Sequence, residues 1–556
     1  MKILLHYQQT MNDKRLLIYL HFILPFFFLV AFTGIAVAGP ELIKDINPNG
    51  SSDIRSLRAG NERLFFFAQA DNNSHSLQLW TSNGVEQDTL QLTDINFNEY
   101  TYPVSDTSNL VVDELYFFPL RNQSDRKHEL WRSDGTLQGT YKLIDLPDYL
   151  DPWYPAAGSG SLYYFVPWND PEFGRELWVS DGSVSGTRLV KDINPGRGSS
   201  SPHNLIAVND RLYFVVGDNL WVSNGASAGT RQVTYFEGVH GRLHHIINVN
   251  GMIYMAYSYT GGHELWRYDS ISGQNIKVRD FDHISPGARE FAAVGDHLFF
   301  IAKDVGSDAY DLWKTDGTLA GTVVVKNIGE TNVGYTDWYL TNVNGTLFFR
   351  ANDGTHGWEL WKSDGTVSGT FMIKDVVDGA NSSDLYCFTA VGDTLFFAQK
   401  QSIYVTTLWM SDGTEAGTVD TDMGVSSLRC PVNFNEQLYF YGSDRTTDDY
   451  ASELYRYSFS DSGHGTTITA PEINISTEGV QVTISWNSVA NAEGYTLFYA
   501  AYPYTGPETI GSIELGNISS FSADLWNGAA FYVTIKAHRS DDVSEYSNIP
   551  FFIIGQ

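Results

Sequence analysis

The chain has 556 residues, of which 42% are hydrophobic and 14% are aromatic, so it carries enough apolar material for a large folded body. Its 50 glycines and only 7 methionines favour short strands joined by turns over helices. Asp and Glu outnumber Lys and Arg by 65 to 35, and the net charge of −30 repels nucleic acids and anionic membranes. We therefore expect no nucleic-acid partner, whereas neutral sugars, divalent cations and proteins stay open as partners.

Residues 1–38 have the pattern of an export signal. The basic pair Lys14-Arg15 precedes an apolar run from Leu16 to Val37, and Ala36-Val37-Ala38 has the A-x-A pattern of a cleavage site. We predict cleavage near Ala38-Gly39 and an exported, soluble protein that does not insert into a membrane afterwards. The apolar run is also long enough for an uncleaved membrane anchor, which is the alternative.

A tryptophan in an acidic turn context recurs about once every 47 residues, and a period of this length indicates one supersecondary unit stacked many times. The clearest copies are Glu129–Thr136, Glu176–Ser183, Asp311–Thr318 and Glu359–Thr366. This repeat predicts the architecture of residues 39–460.

Each unit is predicted to hold four short strands, here called a to d. In the unit at 291–328 these are Phe291–Val294, His297–Ala302, Asp311–Thr315 and Val323–Ile328, and Gly295-Asp296 is a hairpin turn between a and b. The b strands are so apolar that the sheet must be buried on both faces. Radial stacking covers both faces and gives a β-propeller. A β-solenoid is the alternative, although its repeats are usually shorter and lack hairpin turns.

The two ends of the repeat region complement each other. Glu41–Ile46 has the sequence of a strand d with no a to c before it, and the last unit, near Phe434–Phe459, lacks a clear strand d. We therefore expect the N-terminal strand to complete the last sheet. The strand-c positions predict about nine blades, or eight if two degenerate units merge: Trp80, Trp131, Trp178, Trp221, Trp266, Trp313, Trp361, Trp409 and Tyr455.

The most repeated residues are interpreted as scaffold. A tryptophan at the same place in nearly every strand c is expected to fill the space between sheets, with sugar stacking as the alternative. The Asp of Ser-Asp-Gly-Thr is expected to order the c–d hairpin, because Asp hydrogen-bonds its own turn backbone. A role as a metal ligand is the alternative, and no metal site is predicted.

The segments Glu129–Thr140, Glu176–Pro195 and Glu359–Asp375 resemble the ELWxxDGT repeat family of exported bacterial proteins. The third of them has the sequence ELWKSDGTVSGTFMIKD. This resemblance implies a bacterial protein that is secreted, periplasmic or on the cell surface. It implies no particular chemistry.

Two cysteines, Cys387 and Cys430, hold the same position in adjacent units, at the start of strand a. Inner strands of neighbouring blades run side by side, so we predict a disulfide bond formed in an oxidising compartment. Two free buried thiols are the alternative, and the separation of the two Cα atoms decides between them.

The period stops after Gly463. Residues 461–469 are predicted to be a linker, and residues 470–556 show the short alternating strands of a small β-sandwich. The stretches Val480–Trp486 and Phe531–Ala537 resemble a fibronectin type III domain, with Trp486 at that family's B-strand tryptophan and Phe531 in place of its corner tyrosine. The resemblance implies a spacer or interaction module.

The b–c and d–a loops are predicted to share one face of the propeller. Polar loops of variable length on a rigid scaffold are where binding sites usually arise. The candidate ligand-binding residues come from three b–c loops and are Trp168, Asp170, Glu172, Asp304, Asp308 and Asp353.

No catalytic residue, metal site or cofactor is assigned, because no HExxH, nucleophile-elbow or phosphate-binding motif is present. We expect a monomeric, non-catalytic binding or adhesion protein whose loop face recognises an extracellular glycan or protein. The alternative is a secreted carbohydrate-active enzyme, hydrolase or lyase, that uses paired carboxylates of raised pKa on the loop face. A purely structural surface role is the third possibility.

Overall fold

The computed structural model divides the chain into two compact units, Val37–Phe459 and a second that contains Ser460–Gln556. Among the described residues no helix is long and apolar enough to cross a membrane. The predicted export signal and linker lie outside the described residues. Those are 40–554 without 72–76, 94–107, 122–126, 147–155, 237–240, 285–289, 331–337, 403–404, 422–424, 427, 445–451, 458–470, 472, 488, 490–491, 493, 502–509, 517, 540–541, 545–546 and 548–549.

Nine antiparallel sheets make up the described part of the first unit, and in most of them strands adjacent in sequence pair with each other. The strand β1 (Pro40–Lys44) precedes them. The first three sheets consist of β2 (Arg55–Ala59), β3 (Leu64–Ala68), β4 (Gln78–Ser82) and β5 (Leu90–Gln91); β6 (Leu110–Val112), β7 (Leu115–Arg121), β8 (His128–Ser133) and β9 (Tyr141–Leu146); and β10 (Ala157–Ser159), β11 (Leu162–Phe165), β12 (Leu177–Ser180) and β13 (Arg188–Lys191).

The fourth to sixth sheets follow the same plan, and in the sixth both β22 and β23 pair with β24. Their strands are β14 (His203–Val208), β15 (Arg211–Val216), β16 (Asn219–Ser223) and β17 (Arg231–Gln232); β18 (Gly241–Val249), β19 (Met252–Tyr259), β20 (Gly262–Asp269) and β21 (Asn275–Phe281); and β22 (His283–Ile284), β23 (Phe291–Val294), β24 (His297–Lys303), β25 (Tyr310–Thr315) and β26 (Val323–Glu330).

The last three sheets complete the unit, and short 3-10 helices lie at Glu86–Asp88 and Ser227–Gly229. The strands are β27 (Thr341–Val343), β28 (Thr346–Asn352), β29 (Trp358–Ser363) and β30 (Phe371–Lys374); β31 (Leu385–Val391), β32 (Thr394–Lys400), β33 (Thr406–Ser411) and β34 (Val419–Asp420); and β35 (Val425–Ser426), β36 (Val432–Phe434), β37 (Gln437–Asp444) and β38 (Ser452–Tyr457).

Both faces of each sheet are buried, as the apolar b strands predict. In β24, Leu298 and Phe300 pack into a core shared with the preceding sheet, whereas Phe299 and Ile301 pack into a core shared with the following one. Alternation of side chains along a strand places successive residues on opposite faces. Every described sheet therefore contributes to two hydrophobic cores.

Nine such cores join consecutive sheets, and one of them joins the ninth sheet to the first. In that core Ile43 and Phe434 of the ninth sheet pack with Leu64 and Phe66 of the first. The N-terminal strand makes this contact possible, because β1 pairs antiparallel with β38. The expected completion of the last sheet by the N-terminal strand is confirmed.

The strand-c tryptophans lie between sheets. Trp80, Trp313 and Trp361 are buried in cores shared with the preceding sheet. The other strand-c tryptophans are half-buried and pack against such cores. Their predicted role as filling between sheets is confirmed.

The Ser-Asp-Gly-Thr turn is a closed hydrogen-bond network, best seen at Asp364. Its Oδ1 accepts hydrogen bonds from the backbone N–H (2.8 Å) and the hydroxyl (2.7 Å) of Thr366. The hydroxyls of Ser363 and Thr370 meet at 2.7 Å across the hairpin. The side-chain hydrogen bond from Thr366 lowers the pKa of Asp364. The Asp orders the turn, as predicted.

The predicted disulfide bond is confirmed. Cys387 and Cys430 are bonded, with Cα atoms 5.0 Å apart and a sequence separation of 43. The bond ties β31 of the eighth sheet to the segment before β36 of the ninth. A loop of this length corresponds to a stabilisation of about 4 kcal/mol by the chain-entropy model.

The second unit has two antiparallel sheets around one core. One sheet has the order β39 (Ile473–Glu478), β40 (Gln481–Trp486), β43 (Ser520–Asp524). The other has the order β42 (Ile510–Gly516), β41 (Gly494–Ala501), β44 (Ala530–Arg539), β45 (Asp542–Val543), and β46 (Phe551–Ile553) also pairs with β44. Trp486, Tyr495 and Ile535 are among the core residues.

The hydrogen-bonded turn holds Gly369 close to Asp364, and a Cβ atom at Gly369 would lie 2.1 Å from the Asp364 carboxylate. We expect Gly369→Ala to destabilise the protein by about 1–3 kcal/mol, the usual cost of overpacking. Thermal melting followed by circular dichroism measures the change. The control is Gly369→Ala combined with Asp364→Ala, since removal of the carboxylate relieves the collision. Strictly additive losses in the double variant would contradict this account.

Candidate functional site

The b–c and d–a loops of one sheet pack against each other at the same end, as predicted. In the third sheet the Arg175 backbone N–H donates to Ser199 Oγ (3.0 Å) and the Ser201 N–H donates to the Arg175 carbonyl (3.0 Å). In the seventh sheet the Ser383 N–H donates to the Trp358 carbonyl (3.1 Å). This common surface is called the loop face below.

The Glu that begins the Glu-Leu-Trp motif holds the loop face together. Glu176 is fully buried, and its carboxylate accepts hydrogen bonds from the backbone N–H groups of Ile193 (3.2 Å), Asn194 (3.2 Å) and Ser200 (2.9 Å). Buried N–H groups need acceptors, and a carboxylate offers several lone pairs at one place. The Glu therefore orders the d–a loop of its own sheet.

The same arrangement recurs at Glu359 and Glu453. Glu359 accepts from the Val376 N–H (2.8 Å), and Glu453 accepts from the N–H groups of Ile46 and Ser52 (3.2 Å each). Burial raises the pKa of both carboxyls to about 7, although the hydrogen bonds oppose this shift. Raised carboxyl pKa values thus occur at these structural positions.

The predicted binding residues of the third sheet lie together on one loop. The Arg175 guanidinium lies 3.8 Å from the centre of the Trp168 ring, and its Nε donates to the Trp168 carbonyl (3.2 Å). Asp170 Oδ1 accepts the N–H groups of Glu172 and Phe173 (2.9 Å each), so it orders the turn. The Glu172 residue is exposed.

The other predicted carboxylates lie on separate loops. Asp304 binds the Arg279 guanidinium at 2.9 and 3.0 Å, and this contact joins the sixth sheet to the fifth. Asp353 contacts His356 Nδ1 at 2.8 Å, and Asp308 is exposed. Burial acts to raise the pKa of Asp353, but the hydrogen bonds from His356 outweigh it and lower the pKa. In the described part of the chain, no hydrogen bond or ion pair joins the carboxylates of the third, sixth and seventh sheets.

A cleft of about 440 Å³ lies between the second and third sheets on the loop face. Asp170 is the one predicted binding residue that lines it. Sequence reasoning missed the rest of the wall, because the residues come from two repeats and include a strand-c tryptophan. The lining residues are Lys127, Ile144, Asp145, Leu146, Pro167, Asp170, Pro171 and Trp178.

Polar and apolar groups meet in this cleft. Trp178 is half-buried and packs against the core that the second and third sheets share. Asp145 is exposed and forms an ion pair with Lys142 at 2.9 Å, and the side-chain hydrogen bond in this pair lowers the pKa of Asp145. An aromatic wall with carboxylates at the rim suits non-covalent recognition of a small polar or cationic group.

Four half-buried histidines from the fourth to sixth sheets also meet: His203, His244, His263 and His283. The ring centres of His263 and His283 are 4.4 Å apart, and those of His244 and His263 are 6.5 Å apart. Burial lowers the pKa of all four, to about 4 for His263, so the His263 ring is neutral at pH 7. Over the ranges that the structure describes, no three His, Cys, Asp or Glu side chains are placed to hold a metal ion.

Comparison with known proteins gives no family for the chain. No family model and no curated protein matches it. A solved structure of puromycin hydrolase is 12% identical over 63% of this chain and 59% of its own, with a TM-score of 0.35. The fibronectin type III domain of human collagen alpha-1(XX) is 18% identical over 17% of this chain and 93% of its own, with a TM-score of 0.15. Likenesses this remote carry no argument about this chain.

The raised pKa of Glu359 makes its contribution to stability depend on pH. The folded-state value of about 7 lies above the ordinary value of 4.5, so this contribution is fully present below pH 4.5 and is lost as the pH rises through 7. Glu359→Gln removes the charge and keeps an oxygen acceptor for the Val376 N–H. As the pH rises from 4.5 to 8, we expect the free energy of unfolding of the variant to increase relative to that of the wild type by roughly 1–3 kcal/mol.

Thermal melting of both proteins across this pH range checks the prediction, because the difference between the two curves isolates Glu359. Glu172→Gln, at an exposed position on the loop face, is the control. We expect its melting temperature to change with pH as that of the wild type does. If the melting temperature of Glu359→Gln also changed with pH as that of the wild type does, the buried carboxyl would not titrate as described.

Proposed function

We propose that the chain is an exported, non-catalytic binding protein whose nine sheets close into a β-propeller and whose loop face recognises an extracellular glycan or protein. The core between the ninth and first sheets supports closure, since it leaves each sheet with a neighbour on both sides. In this proposal the second unit, with its two antiparallel sheets around one core, is a fibronectin type III-like sandwich that serves as a spacer or interaction module.

The bonded pair Cys387–Cys430 supports export. Disulfides form and persist in oxidising compartments and are rare in the cytosol. Together with the signal-like sequence of residues 1–38 and the resemblance to exported bacterial repeat proteins, the bond supports a secreted, periplasmic or cell-surface location.

The cleft beside Trp178 is the observation that carries the binding function. It combines an aromatic wall, apolar side chains and rim carboxylates on the face with the most variable loops. The carboxylates with clearly raised pKa, such as Glu359 and Glu453, are committed to backbone N–H groups instead. The predicted loop-face carboxylates Asp170, Asp304 and Asp353 hold their own loops or a neighbouring arginine.

A binding screen of the full exported protein against an extracellular glycan array and a panel of cell-surface proteins tests the proposal. We expect ligands whose binding falls at least about tenfold in Trp178→Ala, which is the loss expected from removing a central aromatic anchor. Trp409→Ala is the matched control, because Trp409 is also a half-buried strand-c tryptophan but Lys374 lies over its ring.

Two outcomes would contradict the proposal. One is a screen without any ligand that distinguishes Trp178→Ala from Trp409→Ala at equal melting temperature. The other is release of reducing or unsaturated sugar ends from a bound polysaccharide that is abolished by Asp170→Asn or Asp304→Asn, which would favour the hydrolase or lyase alternative.

A further inference from the structure

One position in strand d recurs in the same register in six sheets. It pairs with the Leu that precedes the strand-c tryptophan (Leu454 in the last sheet, where Tyr455 replaces the tryptophan). Five of the six residues are cations, and the second sheet alone has an apolar residue there. The six are Lys44, Ile144, Lys191, Arg279, Lys326 and Lys374.

The cation at this position reaches across to the next sheet. Lys374 Nζ donates to the Thr418 carbonyl at 2.7 Å and lies 5.9 Å from the centre of the Trp409 ring. Arg279 likewise donates to the Thr322 carbonyl at 3.2 Å, and its guanidinium carbon lies 4.6 Å from the Trp313 ring centre. A cation within about 6 Å of an indole centre is attracted by the negative face of the ring.

Two further sheets show the contact with the threonine carbonyl. Lys191 Nζ donates to Thr230 and Lys44 Nζ donates to Thr89, both at 2.9 Å. In all four sheets the acceptor is the Thr at the end of the c–d turn. The hydroxyl of this Thr contacts the hydroxyl of the Ser or Thr at the start of the same turn. The repeat thus contains four examples of a Lys or Arg side chain that binds this carbonyl, and in two of them the cation also lies over the strand-c tryptophan.

The second sheet lacks this cation, because Ile144 ends in methyl groups and has no donor. The corresponding acceptor on the third sheet is the carbonyl of Thr187, whose hydroxyl meets that of Ser180 at 2.7 Å. The corresponding ring is Trp178, which lines the cleft together with Ile144. The cleft of about 440 Å³ lies where four other sheets place a cationic side chain.

We propose that this cleft binds a lysine side chain of a protein ligand, with its ammonium over the Trp178 ring and within reach of the Thr187 carbonyl. Asp170 and Asp145 lie at the rim and attract the incoming cation, although Asp145 is also ion-paired with Lys142 and Lys127 lies beside it. The net charge of −30 favours approach of a basic partner. The inference rests on the proposed binding function and specifies the ligand class for the same cleft.

The probe is Nα-acetyl-lysine methylamide, and its uncharged match is Nα-acetyl-norleucine methylamide. Full exported protein labelled with 5-fluorotryptophan is titrated with each probe and followed by fluorine NMR. The Trp178 resonance is identified by its loss in Trp178→Phe. We expect a saturable shift of this resonance with the lysine probe and binding about tenfold weaker for the norleucine probe, because the ammonium supplies the cation–π contact.

Ile144→Lys supplies the missing side chain from within the chain. We expect it to shift the Trp178 resonance in the absence of probe and to abolish the response to the lysine probe, whereas Ile144→Leu retains the response. Equal responses to both probes, or no response of the wild-type resonance, would overturn the inference even if Ile144→Lys failed to fold.

The two proposals fail differently. Suppose that a ligand from the panel binds through Trp178 but the lysine probe causes no shift. This result would support the binding function and overturn the lysine specificity. A probe response that Ile144→Lys abolishes, with no ligand found in the panel, would keep the cation site and contradict the proposed class of ligands.

Discussion

The structure of the first unit depends on one constraint, which is that each of its sheets is apolar on both faces. Phe299 and Phe300 are neighbours on one strand, point to opposite sides, and are both buried in cores shared with other sheets. A single sheet of this kind would expose half of its apolar side chains to water. Every sheet therefore needs a neighbour on each side, and pairing of β1 with β38 helps the last sheet pack on the first.

The same constraint determines where charge is buried. The d–a loops start at the edge of a buried sheet, and some of their backbone N–H groups cannot reach water. Glu176, Glu359 and Glu453 supply acceptors for them, and the raised pKa of the last two reflects the cost of removing a carboxylate from water. The Glu of the repeated motif is thus a loop-ordering residue, and it fixes the loops on which the cleft is built.

Local patterns explain what could be predicted from the sequence. The hairpin before β24, the turn at Asp364 and the complementary ends of the repeat all follow from short-range periodicity and turn chemistry. The partners of Glu176 lie 17 to 24 residues away, and the four histidines come from four strands of three sheets, so neither arrangement has a local signal. Of the six predicted binding residues only Asp170 lines the cleft, because loop composition carries no information about the register between sheets.

Register also explains why the sequence alone does not single out Ile144. In its sheet the pairing shifts between Leu130 and Trp131, so the position is recognised only after this irregularity is aligned with those of the other sheets. Absence of the cation does not by itself leave space, because Phe236 packs edge-on against Trp266 at 5.1 Å where the fifth sheet follows the fourth. Between the second and third sheets the cleft persists although Ile144 packs into the shared core, because its side chain is shorter than that of lysine. Because the repeat builds this cation contact in four places, the cleft where isoleucine occupies the same register position is the best place for an external cationic side chain to bind.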